Sequence, residues 1–279
     1  MTPASPTKHP PIRKRSRTRT AVHSAVVLGV LVVALEIRDI AKAVGIDIPG
    51  LPVPRGGSVM DNLLSVALAV VAVIALDRAR RLSLRAALGL RWNGWKGPLL
   101  TLLATIPCWI GLSTQGALVD TIELSDMLLL ALLFPFAEEL VFRGFGFVFA
   151  RRVVGWPVVI AALVQAIVFG ALHWLGAGGG VGGVALQIFA ITFLGGLVFA
   201  ALDARDGYTV WSGLVFHVSL NAAWNVFSVS DTAAAGWVGS SLRIGSAVLA
   251  LVLLWMFVPR GPRPCLSTTR CVGRGDPTP

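Results

Sequence analysis

The stretch MLLLALLFPFAEELVFRGFGFVFA, residues 127–150, is a long apolar run interrupted by three charged side chains. A helix of about 20 residues crosses the roughly 30 Å hydrocarbon core of a bilayer, so the run predicts a transmembrane helix. The charged residues within it are Glu138, Glu139 and Arg143. Charges inside a bilayer are costly and usually face a protected cavity, so the same run also indicates a polar site within the membrane.

The whole chain shares this apolar character. Hydrophobic residues make up 55% of its 279 residues and charged residues only 14%, and the mean hydropathy is +0.77, which excludes an ordinary soluble domain. We therefore predict an all-α integral membrane protein, a bundle of about eight transmembrane helices with a polar intramembrane cavity. The predicted spans centre on 21–43, 59–76, 97–118, 125–149, 156–174, 184–202, 209–229 and 241–258.

The net charge of +10 is unevenly placed along the chain. Basic residues gather before the first span, between the second and third spans, and after the eighth, whereas the alternate connections are neutral or acidic. Basic connections stay on the inner side of a cell membrane, so we expect a multi-pass protein with both termini in the cytoplasm. Anionic lipid headgroups are sufficient partners for this charge, and no nucleic-acid partner is expected.

The two adjacent glutamates are expected to point in different directions. Residues four apart share a helix face, so Glu139 can pair with Arg143 while Glu138 points elsewhere and stays free. Pro135, three residues before Glu138, is expected to kink the helix and free a backbone carbonyl close to the site. A purely structural role, holding helices together, is the alternative for the Glu139–Arg143 pair.

Two further predicted spans carry polar motifs. The motif FGALH places an aromatic ring, Phe169, and an imidazole, His173, four residues apart. The motif HVSLN places His217 and Asn221 on one helix face, and Asn225 follows one turn later. Three predicted helices thus each present polar groups, which favours their convergence on one wet cavity.

These side chains suit a particular chemistry. A free carboxylate beside an imidazole can take a proton from water as the water attacks a carbonyl carbon, and an imidazole with a carboxamide can donate to the resulting oxyanion. Amide hydrolysis without a covalent intermediate is therefore favoured, since no serine or cysteine has a comparable setting. A glutamate and two histidines also resemble a hydrolytic zinc site, so zinc is the alternative to catalysis without a cofactor.

The ordered set EELVFRG, FGALH and HVSLN, each in its own apolar span, resembles the EExxxR, FxxxH and HxxxN motifs of the CPBP family of intramembrane glutamic endopeptidases. That family joins type II CAAX prenyl proteases with bacteriocin-processing and bacteriocin-immunity proteins and with relatives of lysostaphin resistance protein A. The resemblance covers roughly residues 125–229. No motif is specific alone, but the ordered set is.

The resemblance implies a role for each matching residue. It implies that Glu138 is the water-activating base with His173 assisting, and that His217 and Asn221 stabilise the oxyanion. The remaining motif residues and the second amide are expected to support the site without binding a metal; they are Glu139, Arg143, Phe169 and Asn225.

The motifs also divide the chain into regions. We expect a basic disordered cytoplasmic arm (1–20), N-terminal transmembrane helices (21–120), a CPBP/CAAX protease-like catalytic core (121–230), a last transmembrane helix (231–258) and a cytoplasmic tail (259–279). Every motif lies in the catalytic core.

The function implied is that of a membrane endopeptidase acting on a membrane-associated or C-terminal peptide. A non-catalytic membrane immunity or scaffold protein of the same fold is the alternative. A transporter or proton relay is disfavoured because the sequence has no internal repeat. The compact chain with its simple basic arm looks prokaryotic, so a short peptide or a membrane-anchored protein is the expected substrate.

Overall fold

The computed structural model describes residues 17–77, 82–120, 123–227 and 236–259. Within these ranges the regular structure is helical, with one isolated β-bridge between Leu118 and Phe227. The all-α character predicted from the sequence is confirmed. Most of the predicted arm (1–20) and of the predicted tail (259–279) lies outside the described residues.

The helices follow one another along the chain with short connections. In order they are α1 (Arg17–Val33), α2 (Ile37–Ala43), α3 (Gly56–Leu76), α4 (Leu84–Ala87), α5 (Lys96–Ala104), α6 (Ile106–Ser113), α7 (Leu124–Asp126), α8 (Phe134–Glu138), α9 (Val158–Gly176), α10 (Gly183–Arg205), α11 (Trp211–Val226) and α12 (Trp237–Phe257). Two π-helical stretches, Met127–Leu133 and Glu139–Val154, flank α8.

Four of these helices are long and apolar enough to cross a membrane. They are α3, α9, α10 and α12, and they agree with the second, fifth, sixth and eighth predicted spans. A fifth candidate is a bent pair made of α1 and α2. The described residues therefore contain four or five candidate membrane spans, and the predicted number of eight is not confirmed.

The first predicted span, 21–43, is bent instead of continuous. The axes of α1 and α2 meet at 87°, because Leu35 adopts a left-handed backbone conformation (φ 66°) that a right-handed helix cannot continue through. The Leu35 N–H donates to Ser65 Oγ on α3 at 2.8 Å, and Arg38 pairs with Asp61 on the same helix at 3.5 Å. This turn between α1 and α2, here called the elbow, is thereby fixed to α3.

Two other predicted spans are also shorter than expected. The third, 97–118, divides into α5 and α6 at Thr105, because Pro107 has no N–H to continue the helical ladder. The seventh, 209–229, is α11, which has 16 residues, whereas a straight crossing takes about 20. α5 and α6 both pack against α11, which carries the HVSLN motif.

The fourth predicted span forms one continuous helical segment, residues 124–154, here called the glutamate helix. In its π-helical stretches each N–H bonds to the carbonyl five residues earlier, a geometry often found at functional sites. The segment ends at Gly155, whose φ of 96° is readily adopted only by glycine. The Gly155 N–H then caps the Ala150 carbonyl at 2.9 Å.

The glutamate helix is the buried centre of the fold. All residues from Glu139 to Ala150 are buried, and the surrounding contacts come from α1, α3, α9, α10 and α11. The helix itself contributes four phenylalanines to the core, Phe142, Phe145, Phe147 and Phe149. This position explains how Glu139 and Arg143 come to lie out of contact with both lipid and water.

Candidate active site

Glu139 and Arg143 form an ion pair at the centre of the glutamate helix. Arg143 Nε lies 3.4 Å from Glu139 Oε2, and the two side chains are 0% and 1% exposed, for the arginine and the glutamate respectively. A buried charge is tolerated only when a partner compensates it. Each residue therefore depends on the other for its stability in this position.

Aromatic rings supply the rest of the surroundings of Arg143. The Cζ atom of the guanidinium lies 4.3 Å from the ring centroid of Phe169 and 4.6 Å from that of Phe199. None of the three guanidinium nitrogens makes a hydrogen bond within the described residues. A desolvated cation–π contact contributes about 2 kcal/mol. The two rings therefore stabilise the guanidinium in place of hydrogen bonds. Phe169 therefore contacts the charge of Arg143 directly.

His217 connects the two glutamates. Its Nδ1–H donates to Glu139 Oε1 at 2.9 Å, and its Nε2 lies 3.8 Å from Glu138 Oε2. Phe199 stacks on the imidazole with ring centroids 4.8 Å apart and an interplanar angle of 18°. A carboxylate on one ring nitrogen sets the tautomer and stabilises positive charge when the other nitrogen is protonated.

Glu138 borders an open pocket, here called the cavity. Its side chain is 16% exposed, against 1% for Glu139. The cavity has a volume of about 430 Å³ and also contacts His173 of α9 and Glu36 of the elbow; apolar and small residues, Leu35, Leu172, Gly176, Ala177 and Ile188, complete its lining. Glu138 and His173 thus face the same space from different helices, and that space is large enough for a small ligand.

The orientation of His173 is set by its own helix. Its Nδ1–H donates to the Phe169 carbonyl at 2.9 Å, which leaves Nε2 as a hydrogen-bond acceptor. Phe169 also packs on the imidazole with ring centroids 4.3 Å apart. The FxxxH spacing therefore does two things: the phenylalanine contacts Arg143 on one side and fixes His173 on the other.

Asn221 and Asn225 lie on α11 beside the glutamate helix. Asn221 Nδ2 donates to the Leu130 carbonyl at 3.2 Å, and Asn225 Nδ2 donates to the Asn221 backbone carbonyl at 2.7 Å. In a π-helical ladder the partner of Leu130 O would be residue 135, a proline without an N–H. One hydrogen of the Asn221 amide thus caps a carbonyl that Pro135 leaves free.

Two acidic residues at this site are not predicted from the sequence. Asp203 is fully buried and accepts a hydrogen bond from the Gly213 N–H at 3.2 Å, one turn before His217. Glu36 contacts the cavity from the elbow. In the sequence both residues lie at the ends of apolar runs. The position of a carboxylate directly beside such a run is the one feature that could have indicated a role at the site.

The number of side chains that could ligate a metal decides whether the residues suit a zinc site. Among the described residues, no group of three or more His, Cys, Asp or Glu side chains is arranged to hold a metal ion. A hydrolytic zinc site takes three protein ligands, and these residues do not provide that set. We therefore derive no step of a reaction through a metal.

One family matches the sequence. Residues 120–223 match the family described as type II CAAX prenyl endopeptidase Rce1-like, and this match confirms the resemblance that the three motifs carry. No curated protein matches the chain. Together with the long apolar helices, the family match identifies a multi-pass membrane protein.

Proposed function

We propose, from the match of residues 120–223 to the type II CAAX prenyl endopeptidases, that this protein is an intramembrane endopeptidase. It hydrolyses a peptide bond in a membrane-associated or C-terminal peptide by attack of an activated water. The observation that carries the proposal is the row Glu139–His217–Glu138, in which the first carboxylate is buried and held while the last faces the cavity.

The first step is attack by water on the carbonyl carbon of the scissile bond. The Glu138 carboxylate takes a proton from the water as the new carbon–oxygen bond forms, and the carbonyl π electrons move onto its oxygen. His173 assists because its Nε2 is an acceptor on the same cavity and can orient the water. The Glu138 carboxylate lies farther from His217 (3.8 Å) than the Glu139 carboxylate does (2.9 Å), and it has no arginine partner among the described residues.

The second step is collapse of the tetrahedral intermediate. His217 in its doubly protonated form and Asn221 donate to the oxyanion, and Glu139 orients the imidazole by accepting from its Nδ1–H. Asn221 has its second amide hydrogen for this contact, and Asn225 provides a further amide one turn away. Glu138 then returns its proton to the leaving nitrogen as the carbon–nitrogen bond breaks, which restores the carboxylate.

The setting of the protein follows from its charge distribution. Residues 121–230 are the catalytic core, and the N-terminal helices and last helix enclose it in the cell membrane. Both termini face the cytoplasm of a prokaryotic cell, and anionic lipid headgroups contact the basic connections. The substrate is a peptide or a membrane-anchored protein, and nucleic acid is not a partner.

The test is a cleavage assay on the purified protein in lipid vesicles. The first substrate is the solubilised membrane proteome of the expression host. Two synthetic peptides are added to it, one ending in a farnesylated CAAX box and the other identical but unfarnesylated. Mass spectrometry maps the new termini. We expect new termini with the wild type that are lost in Glu138→Gln and His173→Ala, whereas Glu123→Gln, an exposed glutamate, should behave like the wild type.

The same assay distinguishes the alternatives. Cleavage that a chelator abolishes would replace the metal-free mechanism with a zinc mechanism. Wild-type protein that produces no new termini, together with cellular function that survives substitution of all four proposed catalytic residues, would establish the non-catalytic immunity or scaffold role instead.

A further inference from the structure

A second buried carboxyl lies against the Glu139–Arg143 pair. Asp203, in the last turn of α10, has no exposed surface. Its Oδ1 accepts from the Gly213 N–H at 3.2 Å, and its Oδ2 has no hydrogen-bond partner within the described residues. The Asp203 carboxyl takes no part in the proposed mechanism, although it shares a buried space with the residues that hold His217.

The absence of a side chain at Gly213 brings the two carboxyls together. A Cβ atom at this position would stand 2.7 Å from Asp203 Oδ1 and 3.4 Å from Glu139 Oε2. Gly213 and His217 lie four residues apart on the same face of α11. Glu139 and Asp203 therefore lie side by side along that face, where two negative charges would repel each other strongly in a medium of low dielectric constant.

Among the described residues, Arg143 and His217 make direct contacts with only one of the two carboxyls. Glu139 contacts Arg143 at 3.4 Å and accepts from His217 at 2.9 Å. The Asp203 carboxyl has the N–H of Gly213 as its sole hydrogen-bond donor among the described residues. An ionised carboxylate that is buried without a counter-ion is far more costly than a neutral carboxylic acid.

Other titratable groups nearby do not change this balance. Asp206 is the next nearest acid and is bound by Ser212 and Asn93. His173 of α9 borders the cavity, and Arg243 of α12 packs on Trp224 at 4.0 Å. Arg205 donates to the carbonyls of Leu254 and Trp255.

We propose that Asp203 is a positioning residue that keeps its proton in the resting site, so that Glu139 alone carries the negative charge facing Arg143 and His217. The neutral carboxyl accepts from Gly213 and holds α10 against α11 without competing for the guanidinium. Loss of its proton would place a second negative charge beside Glu139, draw Arg143 away from it and release His217. The effect on catalysis rests on the proposed endopeptidase function; the protonation state does not.

Infrared spectroscopy tests the protonation state without reference to activity. The carbonyl stretch of a protonated carboxylic acid is separate from the bands of carboxylates, and ¹³C labelling of aspartate distinguishes it from glutamate. We expect labelled wild-type protein at neutral pH to show a protonated aspartic acid band that Asp203→Asn removes. The control is Asp126→Asn, which removes an exposed aspartate paired with Arg55 at 2.9 Å and should leave the band unchanged.

The pH profile of cleavage tests the positioning role. Asparagine reproduces a neutral carboxyl, so Asp203→Asn should retain far more activity at neutral pH than Asp203→Leu and should lose the decline in activity at alkaline pH. Asp203→Leu, which cannot accept from Gly213, should lose activity at every pH. An aspartic acid band that persists in Asp203→Asn, or labelled wild-type protein with no such band, would overturn the proposal even if Asp203→Asn did not fold or no cleavage were found.

Discussion

At the scale of single residues, the neighbouring glutamates differ because their surroundings differ. Glu139 is enclosed, with a guanidinium on one carboxyl oxygen and an imidazole on the other. Among the residues that the structure describes, no cation lies within hydrogen-bond distance of Glu138, and its Oε2 is 3.8 Å from His217 Nε2. A held carboxylate orients other groups, whereas one that borders a cavity is free to accept a proton from water.

This difference leads to opposite expectations for the same substitution. Glu139→Gln leaves the Arg143 guanidinium buried without a negative partner, so we expect the free energy of unfolding to fall by about 3–5 kcal/mol. Glu138→Gln should change it far less, because that side chain is partly exposed and makes no short ion pair. Unfolding of both variants in the same detergent, followed by circular dichroism, measures the contrast. Equal losses of stability would contradict the assignment.

Arg143 should not tolerate lysine. The planar guanidinium lies against two phenylalanine rings, and a lysine ammonium cannot stack in this way. We expect Arg143→Lys to lower the free energy of unfolding by about 2 kcal/mol and to reduce cleavage. The matched control is Arg85→Lys, at an exposed position. If the two variants unfold at the same denaturant concentration, the aromatic contacts do not hold the charge.

At the scale of elements, the elbow between α1 and α2 shows how the N-terminal helices reach the site. Its bend brings Leu35 and Glu36 to the cavity that Glu138 and His173 border. The bend depends on a left-handed residue whose N–H finds its acceptor 30 positions later in the chain, on Ser65.

Removing that acceptor should loosen the elbow. In Ser65→Ala the partly buried N–H of Leu35 loses this acceptor, so we expect the free energy of unfolding to fall by about 1–3 kcal/mol. Ser58→Ala on the same helix, where the side chain is exposed, serves as the control. Hydrogen exchange at Leu35 reports on the contact directly. Protection that stays the same in Ser65→Ala would show that another group fixes the bend.

The sequence predicts a helix well when its length depends only on its own residues. It predicts a helix poorly when a bend or an end depends on hydrogen bonds to another helix. Long runs such as α3, α9, α10 and α12 agree with the predicted spans, because their apolar surface alone decides their length. The elbow and the π-helical turns around Pro135 depend on Ser65 and on Asn221, which lie far away in sequence. Local periodicity contains no information about such contacts.

At the scale of the whole molecule, the three motifs meet because the glutamate helix is the centre of the bundle. Glu138, Glu139 and Arg143 come from that helix, and α9 and α11 bring one imidazole each. The sequence supports this convergence only in outline, because polar groups in lipid are energetically unfavourable unless they face a shared polar site. It does not reveal that His217 contacts Glu139 more closely than Glu138, or that Asp203 joins them, because both facts depend on how α10 packs on α11.

The orientation in the membrane can be measured with the chain's own cysteines. Cys108 is buried, so a membrane-impermeant maleimide should report on Cys265 and Cys271 of the predicted tail. With both termini in the cytoplasm, we expect labelling in inverted vesicles and not in intact cells. A Cys265→Ser, Cys271→Ser double variant gives the background. Labelling in intact cells would reverse the proposed topology and place the basic connections outside.

The rate of substrate cleavage by Glu138→Gln in lipid vesicles tests the central claim most directly. The substitution keeps the size of the side chain and removes the carboxylate that takes the proton from water, so cleavage should fall by roughly 10²–10⁴-fold. Glu123→Gln should cleave at the wild-type rate, and the unfolding temperature of Glu138→Gln should stay close to that of the wild type. Cleavage by Glu138→Gln at the wild-type rate would contradict the claim that this carboxylate activates the water.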